Sequence, residues 1–248
     1  FDPRRLASRL AAQLTARVEG EPVEHDRGEC LLAPDLVARL LAGLAPLWCG
    51  AQASALAESL RDRGGRLASP SVTVVDNPRH SGLLCGEPDD GEGVPTAETV
   101  LVEAGTYRQP LLDFRLARRP PLQPAGCCRR ASWRDVPAPG VCQLFVQPDT
   151  GVDAADLAGS VRRGYYLFDD GRPARFRFTD DRFTVPVCGY ALEKGRARSP
   201  LTRTVLTGSV RALLHGVQAV AGDLELFPLG ALYGGPTVLV TGLELCGM

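Results

Sequence analysis

Hydrophobic periodicity changes once along this chain, and that change limits the folds open to it. Before Gly64-Gly65, apolar residues recur every three or four positions; from Ser71 onward they come in short β-branched runs. Leu6, Leu10, Leu14 and Val18 predict a first helix, with Asp2 as its N-cap and Pro3 in the first turn. Cys30-Leu31-Leu32 predicts a short strand. Asp35 is read as the cap of a second helix carrying Leu36, Leu40, Leu41, Leu44 and Leu47, with Pro46 near its end. A third helix over residues 51–63 stops at Gly64-Gly65. Strands are then expected over residues 71–75, 99–103, 109–112, 141–147, 174–179, 183–192 and 237–245, with Ala104-Gly105 turning a hairpin. Two later helices are expected. One is capped by Asp153 and runs through Leu157 and Val161; the other is capped by Ser209 and runs to residue 221, with Val210, Leu213, Leu214 and Val217 inward. Regular βαβ alternation is absent, so the fold class expected is α+β with a largely antiparallel sheet.

Composition removes several functions. In 248 residues, 44% are apolar and 23% charged, which suits a globular chain with a real core. The formal net charge is −1 and aromatics are 6%, so neither a basic field nor stacking platforms for nucleic acid are expected. No run of 18 apolar residues exists, so no membrane span is expected. The start, Phe1-Asp2-Pro3-Arg4, does not read as a signal peptide, and a cytoplasmic location is expected. The cysteines are Cys30, Cys49, Cys85, Cys127, Cys128, Cys142, Cys188 and Cys246. None forms a C-x-x-C pair, and they read as buried free thiols. His25, His80 and His215 are the only histidines, and no two share a helix face one turn apart, as a helical zinc site needs.

Four groups stand out as candidate sites. Asp89, Asp90 and Glu92 could bind a cation or a peptide amine, or could accept backbone N–H bonds in a turn. Arg129 and Arg130, with Arg118, Arg119 and Arg134, could hold a peptide carboxylate or stand in a solvated loop. Cys127-Cys128 beside these arginines could have a lowered pKa, but no histidine is near in sequence to act as base. Tyr165-Tyr166 read first as packing residues, with peptide contact as the alternative.

Several blocks, in order, resemble the C-terminal half of the TldD/PmbA family, also called gyrase modulators or TldD/TldE peptidases. They are Asp90-Gly91-Glu92-Gly93-Val94-Pro95-Thr96, Val100-Leu101-Val102-Glu103-Ala104-Gly105, Leu112-Asp113 with Ala117-Arg118, Ala125-Gly126-Cys127-Cys128-Arg129-Arg130, Pro137 with Pro139, Ser160-Val161-Arg162-Arg163-Gly164-Tyr165-Tyr166, Thr207-Gly208-Ser209-Val210 leading to Gly222-Asp223-Leu224, and Gly235-Pro236-Thr237-Val238. The resemblance implies a barrel-like core with flanking helices in a single domain over residues 1–248. Residues 1–29 would be a leading helix and linker, and the family's N-terminal domain would be absent. Zinc-bearing members carry H-E-x-x-x-H on a helix plus a later cysteine. Here the matching positions are Ala42, Gly43 and Leu47, and the stretch over residues 227–234 has no cysteine. The resemblance therefore implies a TldE-like subunit, inactive alone, with no cofactor of its own. It would pair with a TldD-like zinc subunit to bind unfolded or leader peptides, contacts falling at Asp90, Glu92, Arg129 and Arg130. A stand-alone peptide-binding or scaffold protein in a natural-product pathway is the alternative, and a homo-oligomer stays open.

Overall fold

The structure, a computed structural model, describes residues 3–61, 64–80, 88–118, 124–130 and 132–248. The Asp2 cap, Cys85 and Arg119 lie outside the described residues. In chain order the elements are α1 (Pro3–Glu19), β1 (His25–Leu32), α2 (Pro34–Gly43), a 3₁₀ turn (Ala45–Leu47), α3 (Gly50–Arg61), β2 (Val74–Asp76), β3 (Thr99–Glu103), β4 (Thr106–Tyr107), β5 (Cys128–Arg129), β6 (Ala138–Pro139), β7 (Gln143–Val146), α4 (Ala154–Ser160), β8 (Arg163–Asp169), β9 (Arg175–Arg177), a second 3₁₀ turn (Phe178–Asp180), β10 (Arg182–Glu193), β11 (Arg196–Gly208), α5 (Val210–His215), β12 (Val217–Val220), β13 (Glu225–Pro228), β14 (Leu232–Gly235) and β15 (Val238–Gly247). The fold is α+β and rich in antiparallel pairing. It divides into two compact units, residues 1–40, 148–225 and 235–248 in the first, and residues 41–147 and 226–234 in the second.

The first unit is built on a sheet that closes on itself in the order β1-β8-β10-β11-β15 and back to β1, with β12 beside β15 and β9 beside β10. Only the β1–β8 pairing is parallel. Strand alternation puts one row of side chains inside: Phe183, Val185 and Val187 of β10 are buried, as are Leu206, Leu243 and Leu245 on the neighbouring strands. Gly164 is needed where β8 meets β1, because a Cβ there would sit 2.2 Å from the Glu29 carbonyl oxygen. Asp153 and Ser209 cap α4 and α5 as expected, accepting from the Ala155 and Ala212 amides. Asp35, read as a cap, lies instead in the first turn of α2, after Pro34.

Helix α1 forms where its spacing predicts, yet its apolar row is turned outward. Leu10, Leu14 and Val18 are 47%, 59% and 81% exposed, whereas Ala16 is fully buried, packed with Ala33, Phe168 and Cys188. The Tyr190 hydroxyl donates to the Ala12 carbonyl at 2.7 Å, so a small, polar face seats the helix on the sheet.

Three segments of this unit differ from the sequence expectation. Residues 163–169, where no strand is expected, form β8. Residues 196–208 form β11, whose Pro200 stands where the strand pairs with β10 but not with β15, so its missing N–H breaks no ladder on that side. The helix after Ser209 stops at His215; Val217–Val220 leave it to pair with β15.

The second unit holds an open six-stranded sheet in the order β13-β14-β7-β2-β3-β4; β14 pairs with β7 in parallel, and the β7–β2, β2–β3 and β3–β4 pairings are antiparallel. Val74, Val75, Leu101, Val102, Leu144 and Phe145 supply its buried side chains. The hairpin at Ala104-Gly105 is real, but its return strand is Thr106–Tyr107. Residues 109–112 are not a strand; Leu111 makes a single parallel bridge to Cys49 and is fully buried.

Candidate functional site

The helix that the resemblance sets against the zinc motif ends at Gly43. Ala42 and Gly43 close α2, and Leu47 ends the following 3₁₀ turn, which contains Pro46. Proline lacks the amide that would continue the α-helical ladder and clashes with the preceding turn. Leu47 is buried, and its carbonyl accepts the Tyr107 hydroxyl at 3.0 Å. These three positions carry no side-chain nitrogen, oxygen or sulfur, so they offer a zinc ion nothing and supply no general base. Nearby Cys49 donates to the Ala45 carbonyl at 3.5 Å, and burial raises its thiol pKa.

Asp90 is buried, and backbone donors occupy its carboxylate. Oδ1 accepts the Glu92 and Val94 amides, and Oδ2 accepts the Cys128 amide, each at 2.9 Å. The family-like block over residues 90–96 is thus a turn tied to the block over residues 125–130. Gly126 completes the tie: its φ is +61°, and a Cβ would lie 2.4 Å from the Pro95 carbonyl oxygen. Glu92 accepts the Phe114 amide at 3.1 Å and the Cys128 thiol at 3.4 Å. The thiols do not take the lowered pKa considered above. Burial pushes Cys127 up to about 12 and raises Cys128 as well, so neither is a ready nucleophile.

Arg129 and Arg130 part company. Arg130 Nη1 donates to the Asp135 carbonyl at 2.5 Å in an exposed loop. Arg129 Nη2 is buried and, among the described residues, has no hydrogen-bond partner; Gln143 Oε1 is in the same position. The Arg129 charge acts on Asp76, a buried carboxylate just past the strand expected over residues 71–75. Asp76 Oδ1 accepts the Cys142 and Gln143 amides, both at 2.9 Å. Burial nevertheless raises its pKa to about 6, the two amides and Arg129 pulling the other way. Phe114, Trp133 and Val136 stand exposed in the same unit.

In the first unit, Asp223 and Thr237 belong to two separate sequence blocks, and sequence reasoning gives them no role. Asp223 accepts the Thr237 amide through Oδ1 and the Thr237 hydroxyl through Oδ2, both at 2.7 Å. The Asp and the Thr are each visible in their blocks, but only the fold brings the two together. Tyr165 donates its hydroxyl to Asp26. His215 is exposed at the end of α5. His80, in the second unit, packs against Phe145 with ring centroids 4.6 Å apart.

A closed, largely antiparallel sheet with flanking helices and a second, open sheet make up an α+β scaffold. The chain belongs to the PmbA/TldA metallopeptidase C-terminal domain family, whose model matches residues 25–247. A metalloprotease of Methanothermobacter thermautotrophicus is 30% identical over 171 residues, 66% of this chain and 35% of that protein. A metalloprotease TldD homolog of Buchnera aphidicola is 27% identical over 164 residues, 65% of this chain and 33% of that protein. The chain thus spans about a third of the length of these curated relatives. The crystal structure of TldE from Thermococcus kodakarensis superposes with a TM-score of 0.84 at 20% identity, covering 98% of this chain and 55% of that one. At that identity the likeness is one of fold.

Proposed function

We propose that this chain is a non-catalytic, TldE-like subunit that pairs with a TldD-like zinc subunit and helps hold an unfolded or leader peptide for cleavage. The observation carrying this reading is the helix that the resemblance aligns with the zinc motif, where Ala42, Gly43 and Leu47 stand at the positions of its two histidines and its glutamate. Bond cleavage is assigned to the partner's zinc, and this chain needs no metal at the motif positions. The outward row Leu10, Leu14 and Val18 supports pairing, because an exposed apolar helix face gains stability once a second subunit covers it. The open sheet of the second unit supports peptide capture by strand addition, which reads backbone rather than sequence. A cytoplasmic setting without nucleic acid goes with this role; among the described residues no helix is long and apolar enough to cross a membrane.

The test is reconstitution with a zinc-motif homologue from the same host. A stable complex, with peptide cleavage that needs both chains and is lost with chelator, is the expected result. Chelator-sensitive cleavage by this chain alone would refute it. A lone monomer or homodimer would favour the stand-alone peptide-binding or scaffold role instead.

A further inference from the structure

Two groups among the described residues bring three ligand-type atoms within 4.8 Å of one another: Asp90, Glu92 and Cys128 in the second unit, and His25, Glu244 and Cys246 in the first. The carboxylate of Asp90 is already taken up by backbone amides. The other group is arranged differently. His25 and Cys246 stand directly opposite on antiparallel β1 and β15. Glu244, two residues before Cys246, projects from the same face of β15. His25 Nδ1 lies 3.3 Å from Cys246 Sγ. A nitrogen and a thiolate sulfur sharing a tetrahedral zinc, bound at about 2.0 and 2.3 Å, sit about 3.5 Å apart. The pair therefore stands near ligand spacing without rearrangement of the strands. His25 is exposed, Glu244 and Cys246 are half-buried, and an ion reaches them from solvent.

We propose that His25, Glu244 and Cys246 form a surface site for a borderline-soft divalent cation of the Zn²⁺ type, its remaining position taken by water or an external ligand. Imidazole, thiolate and carboxylate together favour zinc over the hard cations magnesium and calcium, which prefer all-oxygen shells. Glu244 engages Arg27 through Oε1, so the guanidinium is both an outer partner and a competitor for the carboxylate. The site sits on the closed sheet of the first unit and is independent of the motif positions Ala42, Gly43 and Leu47. It is also independent of any subunit pairing, because all three ligands come from one chain.

The purified chain is titrated with Co²⁺ and with Zn²⁺. One Co²⁺ per chain is expected, with a thiolate-to-cobalt charge-transfer band that Cys246→Ser removes. His25→Ala should weaken Zn²⁺ binding at least about 10-fold, in line with the loss seen when even outer-shell partners are removed. Arg27→Gln should strengthen it about threefold by freeing the carboxylate and removing a nearby positive charge. Cys49→Ser should leave the band unchanged. A band that survives Cys246→Ser, or no binding at micromolar metal, overturns the site. Should Cys246→Ser fail to fold, alkylation of the unmodified chain reads the same point by mass spectrometry. Protection of Cys246 by Zn²⁺ supports the site, and equal alkylation with and without Zn²⁺ refutes it.

Discussion

In the second unit Asp90 and Glu92 stand beside Cys128; in the first, Glu244 stands beside Cys246 and His25. The residue types are nearly the same, and the sequence favours the first group because its two acids lie two positions apart in a family-like block. Backbone geometry reverses that ranking. Asp90 meets three amides, and its neighbouring thiol is raised by burial. Cys246 meets an imidazole nitrogen on the next strand and stays partly open to solvent. Acid density marks where a chain needs carboxylates; the hydrogen bonds decide whether any lone pair remains for a ligand.

The sharpest way to break this comparison is Asp90→Ala. Three backbone donors would lose a charged acceptor, two of them in the residue's own turn and one on β5. Hydrogen bonds to charged groups contribute about 1.5–3 kcal/mol each, and the losses overlap, so a destabilisation of about 4 kcal/mol is expected in urea denaturation. A loss below about 1 kcal/mol would mean that the carboxylate is dispensable for structure and available for ligands.

Asp76 sharpens the same point through pH. Its carboxyl titrates near about 4 in an unfolded chain and at about 6 in the folded one, chiefly because it is buried. Between those values the folded state holds a proton that the unfolded state has lost. The stabilisation is therefore complete below about pH 4 and disappears as pH rises through about 6, an effect of about 3 kcal/mol. Asp76→Asn keeps an oxygen for the Cys142 and Gln143 amides and removes the titration. Its stability should be flatter than that of the unmodified chain across this window. Asp35, raised to about 6 by burial in the first unit, leaves a remaining slope of the same sign. Denaturation curves at pH 4, 5, 6 and 7 measure both; an unchanged slope in Asp76→Asn would place the proton elsewhere.

How much of this is legible in the sequence follows from what each signal depends on. The α1, α4 and α5 starts, β3, β10 and β15 are readable because periodicity and capping residues are local. β11 is not: Arg196–Gly208 carries arginines and Pro200, and only its position beside β10 makes that composition tolerable. β12 reads as helix because Val217 continues the apolar spacing of α5, and pairing with β15 outweighs that spacing. Helix α1 is readable, but the direction of its apolar row depends on what the sheet offers it, and no local rule holds that information. The motif positions Ala42, Gly43 and Leu47 rest on resemblance alone, whereas the Asp76–Arg129 proximity and the His25–Cys246 pair each join residues more than 50 positions apart.

A third change shows that the contrast is not simply one of unit. Asp223, in the first unit, is occupied as fully as Asp90, since both its oxygens are held by Thr237. Thr237→Val removes the hydroxyl bond and keeps the amide bond and the side-chain volume. A loss of about 1.5 kcal/mol in denaturation is expected, the range for one hydrogen bond to a charged acceptor. A neutral result would leave Asp223, rather than Glu244, as the more available carboxylate of that unit.

The smallest expected effect carries the most information about the Cys246 group. Glu244 pairs only with the exposed Arg27 among the contacts described for its side chain, and its own side chain keeps 29% of its surface open. Exposed ion pairs contribute about 0–1 kcal/mol, so Glu244→Ala should change stability by no more than about 0.5 kcal/mol without added metal. With saturating Zn²⁺ the unmodified chain should gain stability by mass action, since an ion that binds only the folded state shifts the equilibrium toward it. Glu244→Ala should lose most of that gain while matching the unmodified chain in chelator. A variant already destabilised by more than about 2 kcal/mol in chelator would show that Glu244 is a structural carboxylate like Asp90. The two clusters would then be alike after all.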